Sequence, residues 1–557
     1  MSNFYIKKTE NNFNDSLICY GLVEILSLIK NSNNELSFET INIKSTDSLY
    51  HITTSFNCFE FLDDLEFSQL FKYINKTNKK TGKVNEIVVS DEFDVVKKYN
   101  NLSKEEKKIT SLEPNLKLNI IQKLSDKKMI SAYLKTYNNW ELLKPVFGDF
   151  VKILLEQFLE CNFLKDDYEE INQFLKKKSI EIKKENNSLQ DINPSHGKGV
   201  NKGKASGINL GGINIHWIKQ TLAFIGYWTF SFPLNFVERK KMSKSYFTFV
   251  PEVTNIKFND FSKLESFLRK KFIVTSKIKT SIELLLKSVN ILLQITEFNT
   301  IKEKNYINQR IKGYNFAFYQ NLGQQPAVTN IGFLGIPDFI GFSNKEEAEK
   351  WLIILEEHLS RINKIDEDNS NNVGMLQNYR DFFSAGSFDN FFEFTYDYAD
   401  FIMSSLNDKK YYIEPFTKQN MEELVKTQTA FSKILENKGF LAIAEAIRNS
   451  TIIPISHNNK KDVIFGLSQK FNIASRTSES LLNLVTEFIQ KYNESVMLKD
   501  YHNQVHKKYV TTEEFAEFCK LLDEGYSSKT ISGMLVAYGY SKEQKKENNT
   551  EGKDETN

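Results

Sequence analysis

Apolar positions recur along the chain at two different spacings. Between residues 139 and 160, large apolar side chains lie three or four positions apart, which predicts a helix interrupted at Pro145. The short apolar run YFTFVPEV (246–253) predicts a strand that ends at Pro251. Helical spacing returns in DFSKLESFLRKKF (260–272) and in SFDNFFEFTYDYADFIM (387–403). We expect the aromatic side chains of the last stretch to pack in a core.

From about residue 416 to residue 540 the pattern is helical throughout. Amphipathic stretches alternate with short polar connections, and Gly439 and Gly525 stand where helices are expected to end. Thr511 and Glu514 have the spacing of a capping box at the start of another helix. This region therefore predicts a bundle of about four or five helices.

These patterns together predict an α+β fold, with a large mixed N-terminal domain followed by a C-terminal all-α helical bundle. The expected segments are a mixed α/β N-terminal region (1–185), a flexible Gly/Lys loop (186–212), a mixed α/β region with a basic surface that continues the N-terminal domain (213–415), the C-terminal helical bundle (416–540) and a disordered tail (541–557).

The loop predicted at 186–212 contains six glycines and almost no large apolar side chain. Such a segment buries too little surface to offset the entropy lost when its backbone is ordered. Lys198, Lys202 and Lys204 make it basic. Two interpretations stay open: a solvated linker, and a loop that becomes ordered on a phosphate backbone.

Composition narrows the class of protein. With 557 residues, of which 40% are hydrophobic, the chain has ample material for buried cores and is not wholly disordered. Its four cysteines lie far apart without a CxxC pair, which excludes a disulfide scaffold or zinc ribbon and favours a cytoplasmic location. The N-terminus lacks the apolar core of a signal peptide. The uncharged run at 220–237 is interrupted by polar residues, so we expect buried core rather than a membrane span.

Charge is nearly balanced overall but not locally. The 73 Lys and Arg residues against 71 Asp and Glu give a net charge of +2. Residues 236–312 carry sixteen basic and seven acidic residues, whereas residues 341–415 carry seven basic and fifteen acidic residues. The first of these regions is the main candidate for a nucleic-acid surface.

The chain contains none of the usual sequence motifs of a catalytic site. There is no phosphate-binding GxxxxGK[ST] loop, no HExxH and no GxSxG. His502 and His506 lie four residues apart, but no further metal ligand stands near them in the sequence, so we expect two solvated histidines. We therefore predict a protein that is not an enzyme and that needs no metal or other cofactor.

Several segments resemble a known family. TFVPEVTNIKFNDFSKLESFL (248–268) resembles a segment of the large subunit of type I CRISPR Cascade effector complexes, in the Csx-type, DevT-like branch assigned to subtypes I-A and I-B. NIHWIKQTLAFIGYWTFSFPLNFVERK (214–240), with the glycine-rich turn before it, is similar to that family's glycine turn, strand and basic return. FFEFTYDYADFIM (391–403) is similar to its aromatic helix.

The C-terminal part has the closest resemblance. EAIRNSTI (445–452), LVTEFIQKYNE (484–494) and LLDEG…GMLVAYGYSK (521–542) are similar to three blocks that the family has in this order. The chain departs from the family pattern at Ser495, where the family has Asn, and at Ser541-Lys542, where it has Ala-Arg. The similar segments span roughly residues 205–270 and 390–542.

The resemblance implies a non-catalytic subunit in antiviral defence. Such subunits bind the 5′ end of the guide (CRISPR) RNA, recognise the protospacer-adjacent motif in target double-stranded DNA, promote R-loop formation and recruit the nuclease-helicase. They act with other Cascade subunits, namely the backbone and the small subunit, and their C-terminal bundle resembles the small subunit that lines the displaced strand. Base pairing reads the sequence, so the protein needs mainly backbone contacts.

The candidate site residues follow from this implication and from the local charge. The expected contacts to nucleic-acid backbone are Lys198, Lys202, Lys204, Lys240, Lys241, Lys244, Arg269, Lys270 and Lys271. Secondary candidates for reading the motif are Asn209, Asn214, Gly211 and Gly212, because Asn can pair with adenine and glycine lets a backbone enter a groove. Arg448 either contacts the displaced strand or donates hydrogen bonds inside the bundle.

Two functions of other classes remain as alternatives. One is a nucleic-acid-binding regulator outside CRISPR. The other is a metal-dependent nuclease that uses acidic residues of 341–415. A separate question concerns Met403 and Met421, which lie just before the predicted bundle. Internal translation from either residue would yield a separate small subunit.

Overall fold

The structure is a computed structural model that describes residues 1–9, 12–70, 101–103, 106, 135–159, 168–183, 185–187, 189–196, 214–238, 241–268, 273–298, 303–321, 326–405, 413–453, 463–501 and 508–543. The chain forms two compact units. The first consists of Met1–Thr280, Lys287–Glu297 and Asn305–Ile336, and the second of Ser281–Leu286, Phe298–Lys304 and Pro337–Asn557.

The first unit contains both β-sheet and helices. Its strands are β1 (Ser2–Lys7), β2 (Ile41–Ser45), β3 (Leu49–Thr54), β4 (Glu185–Asn187), β5 (Asn214–His216), β6 (Phe232–Glu238), β7 (Lys241–Val253), β8 (Asn255–Lys257), β9 (Ile273–Val274), β10 (Asn305–Tyr306), β11 (Ile311–Asn321) and β12 (Pro326–Gly335). Its helices are α1 (Asn12–Ser32), α2 (Phe147–Glu156), α3 (Glu169–Lys177), α4 (Trp217–Phe230), α5 (Phe258–Leu268) and most of α6 (Ile278–Gln294).

Two sheets form the framework of this unit. One is antiparallel with the order β1-β3-β2-β8, and the other has the order β12-β11-β7-β6-β9, in which only the β6–β9 pair is parallel. The predicted strand at 246–253 is present, but it begins at Lys241 and does not end at Pro251. Pro251 pairs with Tyr314, and β7 continues to Val253, because Glu252 and Val253 still pair with Gly313 and Ile311 of β11.

The uncharged run at 220–237 forms most of α4 and β6, and every side chain of α4 but that of Lys219 is buried. None of the described helices is long and apolar enough to cross a membrane. Helix α4 packs closely on α1, and each helix places a glycine at the crossing. A Cβ on Gly21 would lie 2.0 Å from the Leu222 carbonyl oxygen, and one on Gly226 would lie 2.0 Å from that of Leu17. Only glycine permits this approach.

The predicted flexible loop is partly replaced by ordered structure. Asn186 and Asn187 belong to β4, and residues 189–196 are anchored by buried polar groups. Asn14 Nδ2 donates to the Ile192 carbonyl at 2.9 Å, and Tyr246 Oη donates to Asp191. Side-chain hydrogen bonds therefore order this part, although it has few apolar residues. The rest of the loop, from residue 197 to residue 213, lies outside the described residues.

The second unit is mainly helical. Its elements are β13 (Gly341–Phe342), α7 (Lys345–Asn363), α8 (Ser370–Ala385), α9 (Phe388–Ser405), α10 (Lys418–Val425), α11 (Thr429–Glu436), α12 (Lys438–Ser450), α13 (Leu467–Ala474), α14 (Ser478–Tyr501), α15 (Thr512–Asp523) and α16 (Ser528–Gly539). The predicted capping box is confirmed, since Glu514 N donates to Thr511 Oγ1 at 3.2 Å and Thr511 N donates to Glu514 Oε2 at 3.0 Å.

The predicted fold class is confirmed: sheets lie in the N-terminal part, and the C-terminal part is helical. However, the division between the units at Ile336 and Pro337 differs from the boundary predicted at 415/416, which falls inside the second unit. The reason is that α9 packs against the C-terminal helices. A Cβ on Gly533 of α16 would lie 2.4 Å from the Phe392 ring, and Lys529 pairs with Glu393 at 2.9 Å.

Candidate nucleic-acid interface

The β6–β7 hairpin forms a basic two-stranded arm. Strand β11 pairs with β7 only from Tyr246 onward, so Lys241, Met242 and Ser245 pair with β6 alone. The register then jumps from Phe236↔Ser245 to Val237↔Met242, which leaves Lys244 in a bulge. Bulges redirect a strand and recur next to functional sites. A two-stranded ribbon of this kind also has the size to enter a DNA major groove.

The predicted lysines of this arm are distributed around its tip. The backbones of Lys241 and Lys244 lie in β7, and Glu238 pairs with Lys241 at the end of the hairpin. Lys240 lies between the two strands and outside the described residues. The hairpin therefore brings the backbones of two sequence-predicted lysines, Lys241 and Lys244, to one end of the sheet.

Most of the other contacts predicted in the first unit fall on residues without a described position. Lys198, Lys202, Lys204, Asn209, Gly211, Gly212, Arg269, Lys270 and Lys271 lie outside the described residues. The backbone of Asn214 lies in β5, where it pairs with Asn187 directly before α4. Asn214 is thus held at the point where the chain leaves the Gly/Lys loop.

A buried charge network lies in the PEV segment that carries the family resemblance. Glu252 accepts hydrogen bonds from Lys8 Nζ at 2.7 Å, Tyr50 Oη at 2.7 Å and Ser16 Oγ at 2.8 Å. Its residue is only 5% exposed, so the carboxylate is paired inside the core. Charges taken out of water are tolerated only with such partners. Glu252 therefore holds β7, β3, α1 and the end of β1 together, and does not face solvent.

The charge of Glu252 perturbs its neighbours. Burial and the nearby carboxylate raise the pKa of the Tyr50 and Tyr20 hydroxyls well above 10. Burial also raises the pKa of Asp15 to about 6, although Asp15 accepts hydrogen bonds from Thr9 N at 2.6 Å and Thr9 Oγ1 at 2.9 Å. These groups are neutral or paired within the core, which makes the network structural.

In the second unit, Arg448 is the centre of another buried network. Its side chain is 5% exposed; Nε donates to the Ser541 carbonyl at 3.0 Å and Nη2 to the Tyr538 carbonyl at 3.1 Å. Nη1 lies 3.6 Å from the exposed carboxylate of Glu543. These carbonyls lie at the end of α16, where helices leave acceptors unsatisfied. The contacts favour the interpretation of Arg448 as an internal hydrogen-bond donor.

The adjoining residues extend this network. Asn449 Nδ2 donates to Tyr492 Oη at 3.1 Å, and Asn493 exchanges two hydrogen bonds with the Val510 backbone, at 2.8 and 3.0 Å. The segments 445–452, 484–494 and 533–542, distant in sequence, thus meet through Arg448, Asn449 and Tyr492. The sequence had shown these segments only as separate similarities.

In the acidic region, the environment of Asp397 changes the pKa of its carboxyl group. Burial, with Glu393 and Asp400 nearby, raises the pKa of Asp397 to about 6. Among the described residues, no group of three or more His, Cys, Asp or Glu side chains is arranged to hold a metal ion. His502 and His506 lie outside that part of the chain.

Residues that sequence reasoning missed lie mainly near the N-terminus. No sequence pattern marked Lys8 or Asp15 as a site residue. The partner of Lys8 is Glu252, far away in the sequence, and Asp15 in α1 is bonded to Thr9, which lies outside that helix. The strand pattern of residues 2–7, with apolar residues at alternate positions, could have been found from the sequence. No protein-family model matches the chain, and no curated protein sequence is significantly similar to it.

Proposed function

We propose that the chain is the non-catalytic large subunit of a type I CRISPR RNA-guided surveillance complex. The observation that carries the proposal is the meeting of the three C-terminal segments that resemble the family. Arg448, Asn449 and Tyr492 join them through hydrogen bonds. Chance similarities in unrelated segments would give no reason for such contacts.

The basic arm suits the DNA-binding part of this function. The backbones of Lys241 and Lys244 lie near the tip of the hairpin, and Lys240 precedes Lys241 in the sequence. Cationic side chains there would bind phosphates, while base pairing with the guide RNA supplies most of the sequence discrimination. We include Asn209, Asn214, Gly211 and Gly212 in the proposed motif-reading region.

The remaining parts of the proposal concern partners. The helices of the second unit would border the displaced strand and present a surface to the nuclease-helicase, and the complex would contain the backbone subunits in the cytoplasm. A small subunit translated from Met421 would lack α9, whose Phe392 and Glu393 contact α16. We therefore expect such a product to need other chains for stability, which limited proteolysis of a Met421-start protein would test.

The decisive experiment is purification of the full chain from its native host, with mass spectrometry of co-purified proteins and sequencing of bound RNA. Repeat-derived guide RNAs and a multi-copy backbone subunit would support the proposal. The chain without RNA and without partners would overturn it. Bound RNA that is not repeat-derived would favour a regulator outside CRISPR, for which the local excess of basic residues would also serve.

The arm is tested separately by DNA binding. Lys240→Ala with Lys241→Ala should weaken duplex binding and lower the salt slope, by about one for each phosphate that is no longer bound. Lys345→Ala with Lys350→Ala, on the acidic helix α7, is the matched control and should leave binding unchanged. Unchanged affinity and slope in the arm variant would exclude these two lysines as phosphate ligands.

A further inference from the structure

We infer that the solvent face of the four-stranded sheet β1-β3-β2-β8 binds single-stranded nucleic acid by base stacking. This inference does not rest on the CRISPR assignment, because the sheet lies mostly in the N-terminal region that carries no family resemblance. The inference concerns strands for which the sequence analysis predicted no function.

The two faces of this sheet differ in chemistry. On one face Phe4, Ile43, Tyr50, Ile52 and Ile256 are buried, as the alternation of a half-buried strand requires. The opposite face is exposed or half-buried, and it carries Asn3, Tyr5 and Lys7 from β1, His51 and Thr53 from β3, Asn42 and Lys44 from β2, and Asn255 and Lys257 from β8.

Register places the aromatic residues of this face together. Tyr5 is directly opposite His51 in the β1–β3 ladder. Their rings stack with centroids 4.7 Å apart and planes 7° apart, and His51 Nε2 is 3.0 Å from Asn3 Oδ1, which orients the imidazole. These two half-buried rings stack on each other, so each ring has one outer face left. A nucleobase can continue the stack on such a face. Aromatic residues on neighbouring strands of a four-stranded sheet are a recurrent platform for single-stranded RNA.

The polar and charged groups around Tyr5 and His51 are of the kind that bind a nucleic acid. Lys44 lies directly opposite His51 on the other side of β3, and Lys257 lies opposite Asn42. None of the residues of the four strands is acidic. At the edge of the sheet, Lys257 Nζ is 3.7 Å from the carboxylate of Glu297, and both groups of this pair are more than half exposed. A phosphate can displace so weak a surface pair.

The chemistry of the ligand follows from this arrangement. Stacked rings recognise bases that are not enclosed in a duplex, lysines bind the phosphates, and asparagine amides donate to and accept from base edges. A duplex hides the faces of its bases, so a single strand is the expected ligand. RNA and single-stranded DNA share this chemistry, and a 2′-hydroxyl distinguishes them.

The test uses the full chain with fluorescein-labelled ten-nucleotide oligouridine, oligothymidine and a duplex of equal length. Tyr5→Ala with His51→Ala should weaken single-strand binding about 5- to 140-fold, since stacking of one base is worth about 1–3 kcal/mol. Tyr5→Phe should retain wild-type affinity, because the ring and not the hydroxyl stacks. Lys44→Ala should lower the salt slope by about one.

Tyr526→Ala, at a half-buried tyrosine of the second unit, is the matched control, and circular dichroism checks that each variant folds. Binding of both single strands, or of RNA alone, supports the inference. Binding of the duplex only, or equal single-strand affinity in the wild type and the Tyr5→Ala/His51→Ala variant, overturns it. These results are independent of whether guide RNA co-purifies from the host, so this inference and the proposed function can fail separately.

Discussion

Two buried charges, Glu252 in the first unit and Arg448 in the second, have different kinds of partner. In the first unit, Glu252 is neutralised by Lys8 and bonded to side chains of β3 and α1. In the second unit, Arg448 is bonded mainly to main-chain carbonyls at the end of one helix, with Glu543 beyond it at the surface. The Glu252 network depends on an opposite charge, whereas the Arg448 network depends on the position of backbone carbonyls.

This comparison shows that a residue in a segment with family resemblance need not bind a ligand. Glu252 and Arg448 both lie in segments with family resemblance, and both are buried. Buried groups that already have partners are poor candidates for contacts with DNA. Among the described residues, the surfaces that we propose for nucleic acid are the basic arm and the open face of the four-stranded sheet.

The largest expected effect comes from removing the acid in the first network. Glu252→Ala leaves the Lys8 ammonium buried and unpaired, so the unfolding free energy of the first unit should fall by about 3–5 kcal/mol. Urea unfolding, followed with a probe specific to each unit, measures this loss of unfolding free energy. Adding Lys8→Met should recover part of the stability. The control is Lys7→Met, which changes the exposed lysine next to Lys8. If the Glu252→Ala protein is as stable as this control, the Lys8–Glu252 pair does not stabilise the fold.

The next effect is a pH dependence of the first unit that comes from Asp15. Native Asp15 holds its proton more tightly than the unfolded chain does, with a pKa of about 6 against an ordinary 3.8. Its contribution is therefore fully present below the unfolded pKa and is lost as pH rises to about 6, a change of about 3 kcal/mol. Asp15→Asn should remove this dependence, as unfolding curves between pH 4 and about pH 7 would show. Identical pH profiles for both proteins would contradict the assignment.

Arg448→Lys tests the second network. Lysine offers a point charge and cannot donate to two carbonyls in the geometry of a guanidinium, so we expect the second unit to be destabilised by about 1.5–3 kcal/mol. Arg476→Lys, at an exposed position, should be neutral. If Arg448→Lys leaves stability unchanged and impairs DNA opening alone, Arg448 contacts nucleic acid instead.

Glycine substitutions give the smallest effects, with opposite signs in the two units. Gly226→Ala should destabilise the first unit by about 1–3 kcal/mol, since its methyl group would meet the Leu17 backbone. Gly374→Ala, in α8, has no neighbouring atom within 4 Å and should stabilise the second unit by about 0.4–1 kcal/mol. Thermal unfolding of both variants measures the contrast. Equal shifts would mean that the α1–α4 crossing is not close.

Much of the fold followed from local pattern. The helical character of the chain after residue 416, the capping box at Thr511 and the strand before Pro251 were predictable because spacing and end signals act over a few residues. The helix end expected at Gly439 was wrong: Gly439 lies inside α12, where a Cβ would lie 2.0 Å from the Glu514 carbonyl oxygen. The described residues after 416 form seven helices, not the four or five expected. The boundary of the helical unit was not predictable in this way. It depends on α9 packing against α16, which brings together residues more than a hundred positions apart.

The same division holds for the sites. The sequence by itself determined where basic residues are concentrated and which segments resemble the large-subunit family. Only the tertiary structure decided that Glu252 and Arg448 are internal, and that Tyr5 and His51 stack on one sheet face. Burial and strand register are set by distant partners, so neither can be read from the neighbours of a residue in the chain.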